Sequence, residues 1–180
     1  MGDHGAERPK DDEFPPSFGR YIDLVPDGDI VAILEAQLPD LEALLASFAP
    51  AQARWRPAAG EWNALQIVGH LADVERIFSY RALRCARVDA PTLTSMDQDE
   101  YMAASNFAER AMPDVAAEFG AVRRATVALL RGLDPTAWAR RGRLDGQPIS
   151  VRAIAYICAG HMLHHLADLR RYPELSARTG

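Results

Sequence analysis

Between Asn63 and Arg87, apolar residues recur at three-and-four spacing for more than six turns, through Ile67, Val68, Leu71, Val74, Ile77, Phe78 and Leu83. A run of that length and period folds as an amphipathic helix, and its apolar stripe requires partners of the same kind. Its start is marked by Asn63 as N-cap, Gln66 as the capping-box partner, and Trp62 and Ile67 as a hydrophobic staple. Three further segments supply the partners. The first carries Ile30, Ile33, Leu34, Gln37, Leu38, Leu41, Leu44, Leu45 and Phe48, and Pro39 within it predicts a kink or a split near Leu38. The third starts near Pro113 and runs through Val115, Phe119, Val122, Val127 and Leu130 to Gly132. The fourth starts at Ser150, with Ile149 and Ile154 in staple positions, and is expected to end before Pro173.

Nothing between these segments shows strand alternation or an Asn-Gly turn, so the expected class is all-α, a four-helix bundle. Residues 88–112 are far too many for a tight connection between bundle helices, which takes about 2 to 8 residues. A stretch that long can run back along a helix of roughly 37 Å, so that the second and third helices lie parallel. The predicted order is up-down-down-up, with a long crossover between helices 2 and 3. Residues 131–149 form a second long connection, suited to walling a pocket at one end of the bundle. Residues 1–20 have little to bury and are expected to form a flexible tail that includes His4, leaving residues 21–175 as the folded domain.

Composition narrows the partners. The formal net charge of −5, with arginines dispersed among acidic residues, argues against a nucleic acid or an anionic membrane as partner. The expected partner is a small molecule. No apolar run approaches the roughly 20 residues of a membrane span, and no signal peptide opens the chain, so a cytoplasmic protein is expected. Cys85 and Cys158 lie inside apolar helical patterns and read as reduced core thiols.

The fourth helix packs three of the five histidines into AGHMLHHLADLR. With Ile154 at zero and 100° per residue, His161 falls at about 340°, His165 at about 20° and His164 at about 280°. His161 and His165 therefore stack one turn apart beside the inward stripe, the spacing at which two imidazoles on one helix can share a metal. His70 lies on the inward stripe of the second helix and is the candidate third ligand. Each of these rings has a plainer reading as a core histidine bonded to a carbonyl or carboxylate. Three buried rings facing one interior nonetheless ask for a common explanation, since an unpaired buried polar group costs about 1 to 3 kcal/mol. One divalent cation supplies it. Asp168, at about 320° on the same wheel, is the candidate catalytic residue, as a base or as the group that orients His165; its plainer reading is a solvated or salt-bridged helix residue. Cys158 is a conceivable ligand of a softer site, and Asp73, Glu75 and Arg76 read as surface pairs.

The segments WNALQIVGHLADVERIFSYRALRCAR from Trp62, MDQDEYM from Met96 and SVRAIAYICAGHMLHHLADLRRY from Ser150 together resemble the DinB-like (DinB/YfiT) superfamily over about residues 25–173. The resemblance implies the up-down-down-up bundle and a metal held by three histidines, matched here by His70, His161 and His165. Where many related sequences read G-H-E-L-H-H, Met162 replaces the Glu, which leaves the ligands intact and removes a charged neighbour; His164 matches no ligand position. The family includes enzymes that transfer low-molecular-weight thiols such as bacillithiol, and relatives that isomerise maleylpyruvate with mycothiol. It implies a metal-dependent thiol S-transferase or a related detoxifying, hydrolase-like activity, using zinc or nickel ahead of manganese or iron. It also implies a homodimer. The competing expectation is a non-catalytic metal- or ligand-binding stress-response bundle that acts through dimerisation. Tyr80, Arg84, Tyr101 and Tyr156 are unranked candidates for substrate contact, and Trp55, Trp62 and Trp138 for structural anchors.

Overall fold

The Asn63–Gln66 capping box is closed in the structure, a computed structural model that describes residues 7–179. The Gln66 amide donates to Asn63 Oδ1 at 2.9 Å, and the Asn63 amide donates to Gln66 Oε1 at 3.2 Å. In chain order the helices are α1 (Gly19–Ile22), α2 (Ile30–Ala46), α3 (Pro50–Arg54), α4 (Ala64–Arg87), α5 (Gln98–Ala103), α6 (Met112–Arg131) and α7 (Val151–Thr179). The long ones are the four expected, and they form a helical bundle in which α4 packs on α6 and α7, and α2 packs on the same two helices. Two apolar clusters fill it. One contains Leu34, Phe78, Leu130 and Ile154, and the other contains Leu41, Leu65, Phe119 and Leu169.

Both prolines expected to interrupt helices lie inside them. α2 is continuous through Pro39, and α7 runs through Pro173 to Thr179. An interior proline removes one backbone bond, and packing on both sides can hold the helix across the gap. Leu38 and Leu41 are buried beside Pro39, and Tyr172, beside Pro173, is buried and donates to the Trp62 carbonyl oxygen at 2.7 Å.

Two expectations need correction. The first is the purely helical class: β1 (Thr92–Leu93), β2 (Arg141–Leu144) and β3 (Gln147–Ser150) form a three-stranded sheet in that order, with β1 parallel and β3 antiparallel to β2. The hairpin turns at Asp145 and Gly146, at φ 50° and 78°, which is the Asp-Gly form of the turn sought in the sequence as Asn-Gly. This sheet joins the two long connections to each other. The second is the flexible tail. Its residues 1–6, His4 included, lie outside the described residues, but Glu13 and Phe14 are buried. Glu13 accepts from Arg152 Nη2 at 2.5 Å and from the Ser150 hydroxyl at 2.8 Å, while Arg8 donates to the Ile22 carbonyl oxygen at 2.8 Å. Polar composition hid this strap because its anchors are ion pairs and the Phe14 ring, not an apolar stripe. Among the described residues no helix is long and apolar enough to cross a membrane.

Candidate metal centre

α4 and α7 each bring a glycine-histidine pair to the same level of the bundle. A Cβ on Gly69 would lie 2.2 Å from the Phe107 ring, and one on Gly160 would lie 1.9 Å from the Tyr21 carbonyl oxygen. The two glycines therefore let Phe107 and α1 press onto the helix backbones beside His70 and His161. The sequence pattern contained both pairs, but the reason for the glycines shows only in the packing.

The three imidazoles expected to converge do so. His161 Nε2 lies 3.2 Å from His70 Nε2 and 3.1 Å from His165 Nε2, and one ligand atom from each residue falls within 4.8 Å of the others. A neutral ring nitrogen carries either one hydrogen or one lone pair, so His161 Nε2 can complete a good hydrogen bond to only one of its two neighbours. Three lone pairs aimed at one cation resolve the conflict. Ligand nitrogens about 2.0 to 2.1 Å from an ion, at tetrahedral angles, sit roughly 3.3 to 3.4 Å apart, close to the separations observed. The residues present fit a divalent ion.

Their protonation fits as well. His70 is 3% exposed and His161 7% exposed, and burial pushes the His70 pKa down to about 4 and that of His161 well below the usual imidazole range. Burial, then the neighbouring His70, His164 and Arg20, push His165 down to about 3. All three rings are neutral near pH 7, the form that binds a metal. Trp62 lies against His70 with ring centroids 4.8 Å apart, and Tyr21 meets His161 edge-on at 5.2 Å. Tyr21 and Phe107 were missed from the sequence. Phe107 carries no ligating atom, and Tyr21 sits at the edge of the supposed tail.

Asp168 Oδ2 is 3.9 Å from His165 Nδ1 and the same distance from His164 Nε2, too far for a hydrogen bond. Among the described residues His165 Nδ1 is buried without a hydrogen-bond partner, and Asp168, 3.9 Å away, is placed to complete that ligand's orientation with a small shift. Cys158 stands apart from the trio, and burial raises its thiol pKa; burial likewise pushes Cys85 up to about 11. Both are core thiols, as read. Glu75 is not a surface residue: it is buried in an ion pair with Arg123 at 2.6 Å, whereas Arg76 does pair on the surface, with Asp73 at 3.2 Å and Glu118 at 2.7 Å. Tyr80 and Tyr101 are exposed and Tyr156 is buried, and none of them lines the two clefts beside the histidines.

Those clefts meet at the trio. A cavity of about 500 Å³ is lined by His165, Asp168, Trp62, Asp99 and Arg171. A second, of about 290 Å³, is lined by His70, His161, Tyr21, Arg20 and Arg81. Gln98 borders both.

Fold and site together define a helical bundle with a three-imidazole centre, able to hold a metal, that opens onto two clefts. The chain belongs to the DinB superfamily, whose sequence model matches residues 33–169. Its structure is similar to that of YfiT from Bacillus subtilis, described as "a probable metal-dependent hydrolase with an unusual four-helix bundle topology". The two share 19% identity with a TM-score of 0.71, over 97% of this chain and 94% of that one. No curated protein matches the sequence.

Proposed function

We propose that this protein is a metal-dependent enzyme that transfers a low-molecular-weight thiol of the bacillithiol type onto a small electrophile, with His70, His161 and His165 holding zinc or nickel. The observation that carries this reading is the approach of three neutral imidazoles, one ring nitrogen from each lying within 4.8 Å of the others. An ion held by three imidazoles keeps coordination positions open, and it would supply a lowered pKa to a thiol or water beside it. Two clefts reaching one centre favour transfer between two bound molecules over hydrolysis of one. The description of YfiT as a probable metal-dependent hydrolase makes hydrolysis the reading to test against. In the transfer reading, Trp62 and Tyr21 fix the ligand rings, and Asp168, on the larger cleft, takes up a proton released by the incoming thiol.

The bundle order supports the family's architecture. One apolar cluster takes the N-terminal parts of α2 and α7 with the C-terminal parts of α4 and α6, and the other takes the opposite parts. This arrangement supports the up-down-down-up order, with the crossover expected over residues 88–112 running between α4 and α6. A cytoplasmic homodimer completes the reading.

Elemental analysis of protein purified without a histidine tag tests the centre: about one equivalent of metal is expected, and the His161→Ala variant should lose it. Transfer of bacillithiol to a model electrophile should be abolished by a chelator and restored by zinc, nickel or manganese. Fully metallated protein that hydrolyses esters or amides but moves no thiol would overturn the transferase assignment. Metallated protein inert to all of these would leave a binding bundle.

A further inference from the structure

The smaller cleft contains a charge that holding a cation does not require. Arg81, on α4, is 4% exposed. Its guanidinium makes one hydrogen bond, from Nη2 to the Thr94 carbonyl oxygen at 2.5 Å, and lies 4.8 Å over the Phe78 ring. Its Nε is buried without a hydrogen-bond partner among the described residues. The other buried arginine, Arg123, closes on a carboxylate with two nitrogens. Arg81 forms no ion pair among the described residues, and burial pulls its pKa down. The carboxylate acting on it is that of Asp145, which lines the same cleft but is exposed to solvent, forms no ion pair with Arg81 and already accepts a hydrogen bond from the Ser95 hydroxyl. A desolvated guanidinium without a counter-charge is costly to keep, and one that lines a cleft is matched by an anion arriving from outside.

The rest of the cleft narrows the anion. Arg20 stands at its rim, 4.7 Å over the Tyr21 ring, and adds a second positive charge. Val74, Phe18, Phe78 and Ile157 give the walls an apolar character. At about 290 Å³ the space is at the small end of ligand sites, which span roughly 300 to 1,000 Å³. A single guanidinium edge matches the two oxygens of a carboxylate, whereas a phosphate dianion brings a third oxygen and a second charge and calls for more donors.

We infer that the smaller cleft binds the carboxylate of a small substrate with an apolar body, with Arg81 receiving the carboxylate, Phe18 and Phe78 the body, and His70 and His161 lining the same cleft. That this ligand is a substrate rests on the proposed metal centre. Its binding through Arg81 does not.

The test uses the full chain labelled with nitrogen-15, with and without zinc, titrated with benzoate and with its uncharged analogue benzamide. Benzoate should shift the Arg81 Nε–H resonance and the backbone amides of Ser95 and Met96, and benzamide should leave them in place. Arg81→Gln should weaken benzoate about tenfold or more, Arg81→Lys should fall between that variant and the wild type, and Arg20→Gln should weaken it less. If Arg81→Gln does not fold, the comparison of benzoate with benzamide on the wild-type chain decides. Equal response to the two compounds, or a response to inorganic phosphate with none to benzoate, would overturn the inference. Benzoate binding by a chain that takes up neither zinc, nickel nor manganese would leave this site standing and remove the metal reading; uptake of one of them with no response to benzoate would do the reverse.

Discussion

His161 Nε2, 3.1 Å and 3.2 Å from two other ring nitrogens, is the atom on which the site's chemistry turns. The arrangement is stable only while the rings are neutral, and that fixes a pH dependence for the metal-free protein. The folded-state pKa values of His70, about 4, and His165, about 3, lie below the ordinary value of 6.5. The unfolded chain therefore binds more protons than the folded one between those limits, and stability is lost as pH falls from about 6.5 toward 4. Each such ring contributes a slope of up to about 1.4 kcal/mol per pH unit. Urea unfolding of metal-free protein at pH 7.5, 6 and 5 should show the loss, and His70→Gln should make it shallower. A stability that is flat across that range, or a slope unchanged by His70→Gln, would contradict the burial of neutral rings. These three residues were legible in the sequence because helical angle alone places His161 and His165 on one face. Arg81 was not, since an arginine inside an apolar run reads as a snorkelling surface residue until its surroundings are known.

At the scale of elements, the strap that holds Tyr21 against His161 depends on Gly160. An added Cβ there would fall 1.9 Å from a backbone oxygen that cannot rotate away, so α1 would have to lift. Gly160→Ala should destabilise the protein by about 1 to 3 kcal/mol, the usual cost of overpacking, and should raise hydrogen exchange in residues 19–25 before it affects the four long helices. Exchange that rises evenly across the chain would argue against a separate docking step for α1. Helix starts at Asn63, Pro113 and Ser150 were readable because each depends on local capping chemistry. The sheet was not, because β1 is two residues long and pairs with a strand 51 positions away, from Thr92 to Arg143. Pairing of that kind leaves almost no periodic trace, and its one local signal is the two-residue Asp145-Gly146 turn.

At the scale of the whole molecule, one guanidinium ties the long helices together beneath the metal centre. Arg123 of α6 binds Glu75 of α4 at 2.6 and 2.7 Å, and the Leu34 carbonyl oxygen and Gln37 Oε1 of α2 at 3.1 and 2.8 Å. Gln37 in turn donates to the Ala159 carbonyl oxygen of α7 at 3.0 Å, two residues before His161. Sequence periodicity places Gln37 on the inward stripe but cannot show that a charge network crosses the core at that level. Such a network stabilises little in itself, yet removing one partner leaves the other buried and uncompensated. Arg123→Met should therefore cost about 3 to 5 kcal/mol, whereas Arg123→Met with Glu75→Leu should recover most of that loss. The double variant should still bind zinc more weakly than the wild type, because Gln37 then holds α2 against α7 without the fixed charge that orients it. Chemical denaturation and zinc titration of the two variants separate these effects. Full recovery of both stability and zinc affinity in the double variant would show that apolar packing alone sets the level of His161.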